Sequence, residues 1–316
     1  MPQDMNTIKA NEFSRGIELL SRQMISKLKA HVQVENMKGA ETWFMNQLGT
    51  STVNETNSLW SATTYNNTSL ARRVINKKTF TYNEPLPEDE LNDVNFDPTS
   101  DLVKSIMAGY AVNYDDLIIE AAVATASTGK DGTGTANLTT AANVIGNDVG
   151  GADSGMNYTK LLTISKRFIA GDVNEGEVNL MIGPEQVVEL LNDDKFINAD
   201  FNRIQKGEIA IPLLTGYLAT VNLGRHINIF TSTRLLAAND AKIPAGVLDA
   251  TVGNTANDRV CFAFTRGGIG LGVGSEVKVS FNRATEFNNQ LAIYSNNIAG
   301  AARLDEDKVQ LVICRE

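Results

Sequence analysis

Between Asp97 and Ser127, apolar and small residues recur every three or four positions, at Val103, Met107, Ala111, Tyr114, Ile118 and Ala122. That spacing keeps them on one face of a helix. Leu102, Ile106, Tyr110, Leu117 and Ala121 widen the stripe into a broad band. Asp97 can cap the segment, Pro98 suits the first helical position, and Asp101 puts negative charge in the first turn. The pattern predicts a spine helix over 98–127, roughly 45 Å long at the α-helical rise. Something elongated must pack along a helix of that length.

The flanking patterns are different. In NEFSRGIELLSRQMISKLKA, residues 11–30, Ile17, Leu20, Met24 and Leu28 share a helical face. From Gly39 to Ser69 no helical period survives among the Thr, Asn and Ser residues, and the segment reads as extended or looped. RRVINKKTFTY alternates as one strand, with Val74, Asn76, Lys78, Phe80 and Tyr82 facing one way. The next stretch, through Glu84, Glu88, Asp89, Glu90, Asp93 and Asp97, is acidic, and Pro85 and Pro87 keep it out of a helix. A basic strand followed by an acidic extension reads as a projecting arm or as a solvated, charge-paired edge.

After the spine helix, residues 128–155 are rich in glycine and small polar residues and read as a flexible connector. Residues 158–254 alternate between the two periods. YTKLLTISKRFIA forms a helix with Leu161, Ile164 and Phe168 inward, stopping at Gly171. EVNLMI is a strand, and Pro184 opens a helix that buries Val187, Val188 and Leu191. GEIAIPLL, GYLATVNL and INIFTS add strands, so a mixed sheet flanked by helices is expected. The last 57 residues are rich in strand patterns, two of them joined through Leu304, Asp305, Glu306 and Asp307.

Composition narrows the function. A hydrophobic content of 42% and a charged content of 21% fit a globular chain with a large core. The net charge of −9 argues against coating DNA through a basic surface. Cys261 and Cys314 make no disulfide framework, and His31 and His226 lie too far apart in sequence for a histidine metal cluster. GKDGTGT lacks the phosphate-loop spacing, and GGIGLGVG fits no dinucleotide register and precedes no helix. No nucleophile elbow occurs, and no catalytic, cofactor-binding or metal-binding residues are assigned. MPQDMNTIK lacks the apolar core of a signal peptide, and no run is long enough to span a membrane.

The order of parts then carries a resemblance. IGPEQVVELLNDDKFINADFN at 182–202 with GYLATVN at 216–222, and GAARLDEDKVQLVIC at 300–314, resemble segments of the major capsid proteins of tailed bacteriophages. The resemblance implies an α+β fold: an N-terminal arm at 1–38, an extended loop at 39–97, a peripheral domain and an axial domain. The spine helix and glycine-rich loop at 98–155 and the closing strands at 256–316 would build the peripheral domain. Residues 156–255 would be the α/β axial domain.

The function so implied is a structural subunit assembling as hexamers and pentamers into an icosahedral head around double-stranded DNA. Its partners would be a separate scaffolding protein, a portal and cement proteins, with assembly in the bacterial cytoplasm and no membrane. An encapsulin-like compartment shell and an α/β enzyme with a glycine-rich cofactor loop are the competing readings. The latter needs a polar pocket near 129–135 or 267–274. Inter-subunit contacts are expected from the extended loop, through Arg72, Arg73, Lys77 and Lys78 against Glu84, Glu88, Asp89 and Glu90. Lysine–asparagine cross-links through Lys77 or Lys78 are not expected, because nothing positions the amine.

Overall fold

A computed structural model describes residues 25–39, 42–49, 51–55, 60, 65–86, 99–151, 153–173, 176–193, 218–222, 225–248, 255–284 and 290–316. Of the expected helix at 11–30, residues 11–24 lie outside these residues and the described end carries only a short 3₁₀ turn, Lys29–His31; the GEIAIPLL strand lies wholly outside. Helix α1 spans Thr99–Val123, 25 residues. It buries Ile106, Tyr110, Tyr114, Leu117, Ile118 and Ala122, much of the face that the spacing predicts. Met107 departs from that face and is 46% exposed.

The helix also stops before Ser127. Two side-chain donors from Arg303 take over its end, where Nη1 donates to the carbonyls of Ala122 at 3.1 Å and Ala124 at 2.8 Å. Ala126–Thr128 then pairs as strand β5, so a sheet satisfies the backbone that the helix leaves.

Alongside α1 runs a four-stranded sheet in the order β1-β12-β13-β4. Its members are β1 (Gln33–Asn36), β4 (Lys78–Leu86), β12 (Ile269–Ala284) and β13 (Gln290–Arg303). The two long strands are the elongated partner that α1 needs. Ile106 and Tyr110 pack on Ile293, and each fully buried side chain of this kind contributes about 1.5–3 kcal/mol. Polar groups inside this contact are paired: the Tyr110 hydroxyl lies 2.9 Å from Ser295 Oγ, and Asn297 Nδ2 donates to the Tyr114 hydroxyl at 2.6 Å. The glycine run at the start of β12 serves close approach. A Cβ at Gly272 would collide with Met37, and one at Gly270 would press on Leu304.

A mixed six-stranded sheet holds most of the core. Its order is β7 (Val144–Ile145), β14 (Val309–Arg315), β11 (Asp258–Phe264), β8 (Glu177–Ile182), β10 (His226–Thr231), β9 (Leu218–Asn222). The strands of 256–316 are therefore split between two sheets. A short helical turn, α2 (Thr140–Asn143), precedes β7. Helix α3 (Tyr158–Ala170) ends at Gly171 and buries Leu161, Ile164 and Phe168, as the pattern predicts, and the Asn157 side chain caps its start. Helix α4 (Pro184–Asn192) begins with its proline as expected but buries Gln186 and Leu190, while Val188 is 55% exposed. Gln186 Nε2 lies 3.5 Å from the Glu316 carboxylate, and of the two valines Val187 is the one that packs, half-buried, on the core.

A third sheet, β2-β3-β5-β6, joins the hairpin β2 (Thr42–Leu48) and β3 (Leu70–Asn76) to β5 and β6 (Gly134–Ala136). The single strand expected across 72–82 is thus two strands in two sheets, broken at Lys77. Gly300 of β13 allows the crossing at this break: a Cβ there would collide with the carbonyl of Asn76, so the two backbones meet in near contact. Among the described residues no helix is long and apolar enough to cross a membrane.

Candidate assembly surface

The β2–β3 hairpin projects from its root with full register, from Thr42 opposite Asn76 to Leu48 opposite Leu70. Beyond Leu48 the ladder continues through Gly49 N–H to the Ser69 carbonyl at 2.8 Å. Polar cross-ties carry on outward, with Ser51 Oγ 2.8 Å from Thr68 Oγ1 and Asn54 Nδ2 donating to Asn66 Oδ1 at 2.7 Å. Several apolar side chains of this stretch are open to solvent. Val53 is 94%, Trp60 95% and Tyr65 91% exposed, and Leu48 and Leu70 lie open at the hairpin's end.

The root is held differently. Gln47 Nε2 donates to the Leu304 carbonyl at 2.7 Å. Arg73 is buried and pairs with Glu306, in the turn between β13 and β14. Glu306 also faces buried Arg303, whose Nε lies 3.6 Å away. Arg303 further donates to the Ala136 carbonyl at 2.9 Å. Burial lowers the pKa of Arg303, and the Glu306 charge opposes that shift. One carboxylate thus links the hairpin, the spine-helix terminus and the long sheet.

Of the residues expected to contact a neighbour, Arg73 is spent inside its own subunit. Its burial follows from the close crossing of β3 over β13. Arg72 lies 5.0 Å over the Phe44 ring and donates to Asn46 Oδ1 at 2.9 Å, stiffening the hairpin. Lys77 is exposed at the strand break. Lys78 reaches Glu120 of α1 at 3.0 Å across a largely exposed gap. Glu84 accepts from the Tyr82 hydroxyl on the same strand; burial first, and then this bond, push the tyrosine pKa up. Glu88, Asp89 and Glu90 lie outside the described residues.

Two anchors were not read from the sequence. Buried Asp115 on α1 accepts from Ser26 Oγ at 2.5 Å and from the N–H groups of Lys27 and Leu28, each at 3.1 Å. This ties residues 26–28 to the spine helix. Lys160, fully buried, donates to the carbonyls of Ser154 at 2.8 Å and Ile313 at 2.7 Å. An aspartate in an apolar helix face and a lysine in a buried stripe were the available signals.

A cleft of about 670 Å³ lies beside Arg266 and Gly267, lined also by Ala30, His31, Gln33, Glu177 and Asn179. His31 packs on Phe230 at 4.5 Å, and burial lowers its pKa. The glycines of 267–274 enter a strand here, and those of 129–134 shape the β5–β6 turn.

A family model described as phage capsid protein matches residues 5–316. The chain belongs to the phage capsid protein family. Solved structures show the same fold. The capsid of cyanophage P-SCSP1u superposes with a TM-score of 0.70 at 14% identity, over 99% of this chain and 94% of that one. The cyanophage Pam1 capsid gives 0.68 at 12%, over 96% of each chain. The acid-stable capsid of Helicobacter pylori bacteriophage KHP30 gives 0.68 at 10%, over 98% and 96%. No curated protein sequence matches. This phage capsid protein is a structural subunit of the virion, a major capsid protein that assembles in many copies into the icosahedral head shell. Neither the compartment shell nor the enzyme is favoured.

Proposed function

We propose that the extended hairpin is the principal grip between neighbouring subunits of the shell. The observation that carries this reading is its tip, where Val53, Trp60 and Tyr65 are almost wholly exposed on one projecting segment. Large apolar side chains this exposed are buried when another molecule covers them. The charged residues play a smaller part: Arg72, Lys77 and Lys78 with Glu84 tune register at the rim, Glu88, Asp89 and Glu90 complement them, and Arg73 holds the root.

In the same reading, residues 1–38 are the N-terminal arm and 39–97 the extended loop. Helix α1 with the long sheet forms the peripheral domain. The six-stranded sheet with α3 and α4 forms the axial domain around five-fold and six-fold positions, and it takes β11 and β14 from the closing segment. Assembly proceeds in the host cytoplasm with a separate scaffolding protein, and portal and cement proteins complete a head filled with double-stranded DNA. A net charge of −9 suits a container that holds DNA without gripping it. The test replaces Trp60 and Tyr65 by Ser. The expected result is a subunit with unchanged circular dichroism that no longer sediments as shells. Normal shells from this variant would refute the reading.

A further inference from the structure

We propose that the free edge of β4 is a two-fold seam, where it pairs antiparallel with β4 of a second copy of this chain. β4 bonds to β13 along one edge only, from Lys78 opposite Ala299 to Leu86 opposite Leu291. Among the described residues no strand lies on its other edge. Exposed strand edges are normally blunted by charges, proline or bulges. The inner pair β12–β13 is bulged, with register shifts between Val273 and Ser275 and again between Ser275 and Lys278. β4 has no such shift, and its centre, Thr79–Asn83, is uncharged and rich in β-favouring residues.

The choice of partner comes from the sequence of the edge itself. Lys-Thr-Phe-Thr-Tyr-Asn-Glu, residues 78–84, is chemically symmetric about Thr81. Two copies paired antiparallel about that residue set Lys78 against Glu84, Thr79 against Asn83, Phe80 against Tyr82, and Thr81 against itself. These are opposite-charge, polar, aromatic and Thr–Thr pairs, the cross-strand combinations that stabilise sheets. Slipping by two residues in either direction removes the Lys–Glu match, and slipping by one turns the aromatic face over. The ladder also ends where the symmetry does. Pro85 has no N–H to donate, and it would face Lys77, which lies between strands.

An isologous contact of this kind joins the two long sheets into one across a two-fold axis. Lys78 keeps Glu120 within reach and, with three donors, can hold a second carboxylate. One strand pair is a small interface, so it acts within a lattice of many contacts rather than as a free dimer.

The seam rests on the reading of the chain as a multi-copy shell, and the test separates the two. Thr81→Cys is assembled into shells and mildly oxidised. The native cysteines, Cys261 and Cys314, are buried in the other sheet. The seam predicts covalent dimers of Thr81→Cys in shells and not in free subunits. Asn83→Cys alone stays monomeric, and Thr79→Cys co-assembled with Asn83→Cys cross-links. Wild-type hydrogen exchange needs no variant: alternate amides of 79–83 should slow at least about tenfold on assembly. Shells in which Thr81→Cys stays monomeric and these amides stay fast overturn the seam and leave the shell reading intact. Equal cross-linking from Asn83→Cys, or a cross-link to a different protein, also overturns it. A wild-type chain that never forms particles would refute the shell reading, and the seam with it.

Discussion

Replacing Glu306 by Ala should be felt at the hairpin. Arg73 and Arg303 are both buried, and Glu306 is the carboxylate that faces them. Removing one partner of a fully buried pair costs about 3–5 kcal/mol, because the other charge is left without compensation. Here the Glu306 side chain is 25% exposed, so water recovers part of that loss. Arg303 keeps three carbonyl acceptors, from Ala122, Ala124 and Ala136, and the loss falls mainly on Arg73. The expected destabilisation is about 2–3 kcal/mol. For a chain of this size that lowers Tm by roughly 3–5 °C.

The turn itself should survive, since Asn143 and Val309 bind the Glu306 carbonyl rather than its side chain. Urea denaturation of the unassembled subunit measures the total, and hydrogen exchange locates it. Amides of β2 and β3 should speed up while those of β11 and β14 hold. A cycle with Arg73→Met should show a coupling of about 1–2 kcal/mol, since an apolar chain at that site no longer needs the carboxylate. A loss below about 0.5 kcal/mol, or strict additivity in the cycle, would show that the contact holds nothing.

Acid should weaken the subunit through Asp258. Burial favours its neutral form, but hydrogen bonds from Thr255 and Arg315 outweigh that and bring its pKa below the usual 3.8. A depressed carboxylate contributes stability above its unfolded pKa and loses it as pH falls through the folded value, so Asp258→Asn should flatten the acid limb of a stability–pH curve below about pH 4; an unchanged limb would refute this. On a boiled denaturing gel, mature shells should run as single subunits; a ladder of covalent multimers would show that Lys77 or Lys78 does form cross-links to asparagine.

Where one period governs a whole segment, the fold was legible. Helix α3 announces itself through Leu161, Ile164 and Phe168 with Gly171 as its stop, and α1 through its long apolar face. Breaks imposed from afar were not. The alternation of Val74, Asn76, Lys78 and Phe80 runs straight through Lys77, yet β3 and β4 join different sheets there, crossing close to a glycine on β13. Adjacent Arg72 and Arg73 look alike in sequence, yet one stacks on an exposed ring and the other is enclosed. The acidic turn at 305–307 read as a turn and no more, because its partners, Arg73 and Arg303, are brought to it only by tertiary packing. The order of the segments carried the family resemblance, which local chemistry could not have done.

The crossing of Asn76 beneath Gly300 has a mechanical consequence. The hairpin is a lever pinned at its root by this crossing, by the β3–β5 pairing and by the Gln47 and Arg73 contacts, with Lys77 as the single residue between its arm and β4. A sideways load at the tip therefore reaches the long sheet within a single peptide unit, with no slack segment to absorb it. A side chain at Gly300 would collide with the Asn76 carbonyl and push the arm off the sheet at that point.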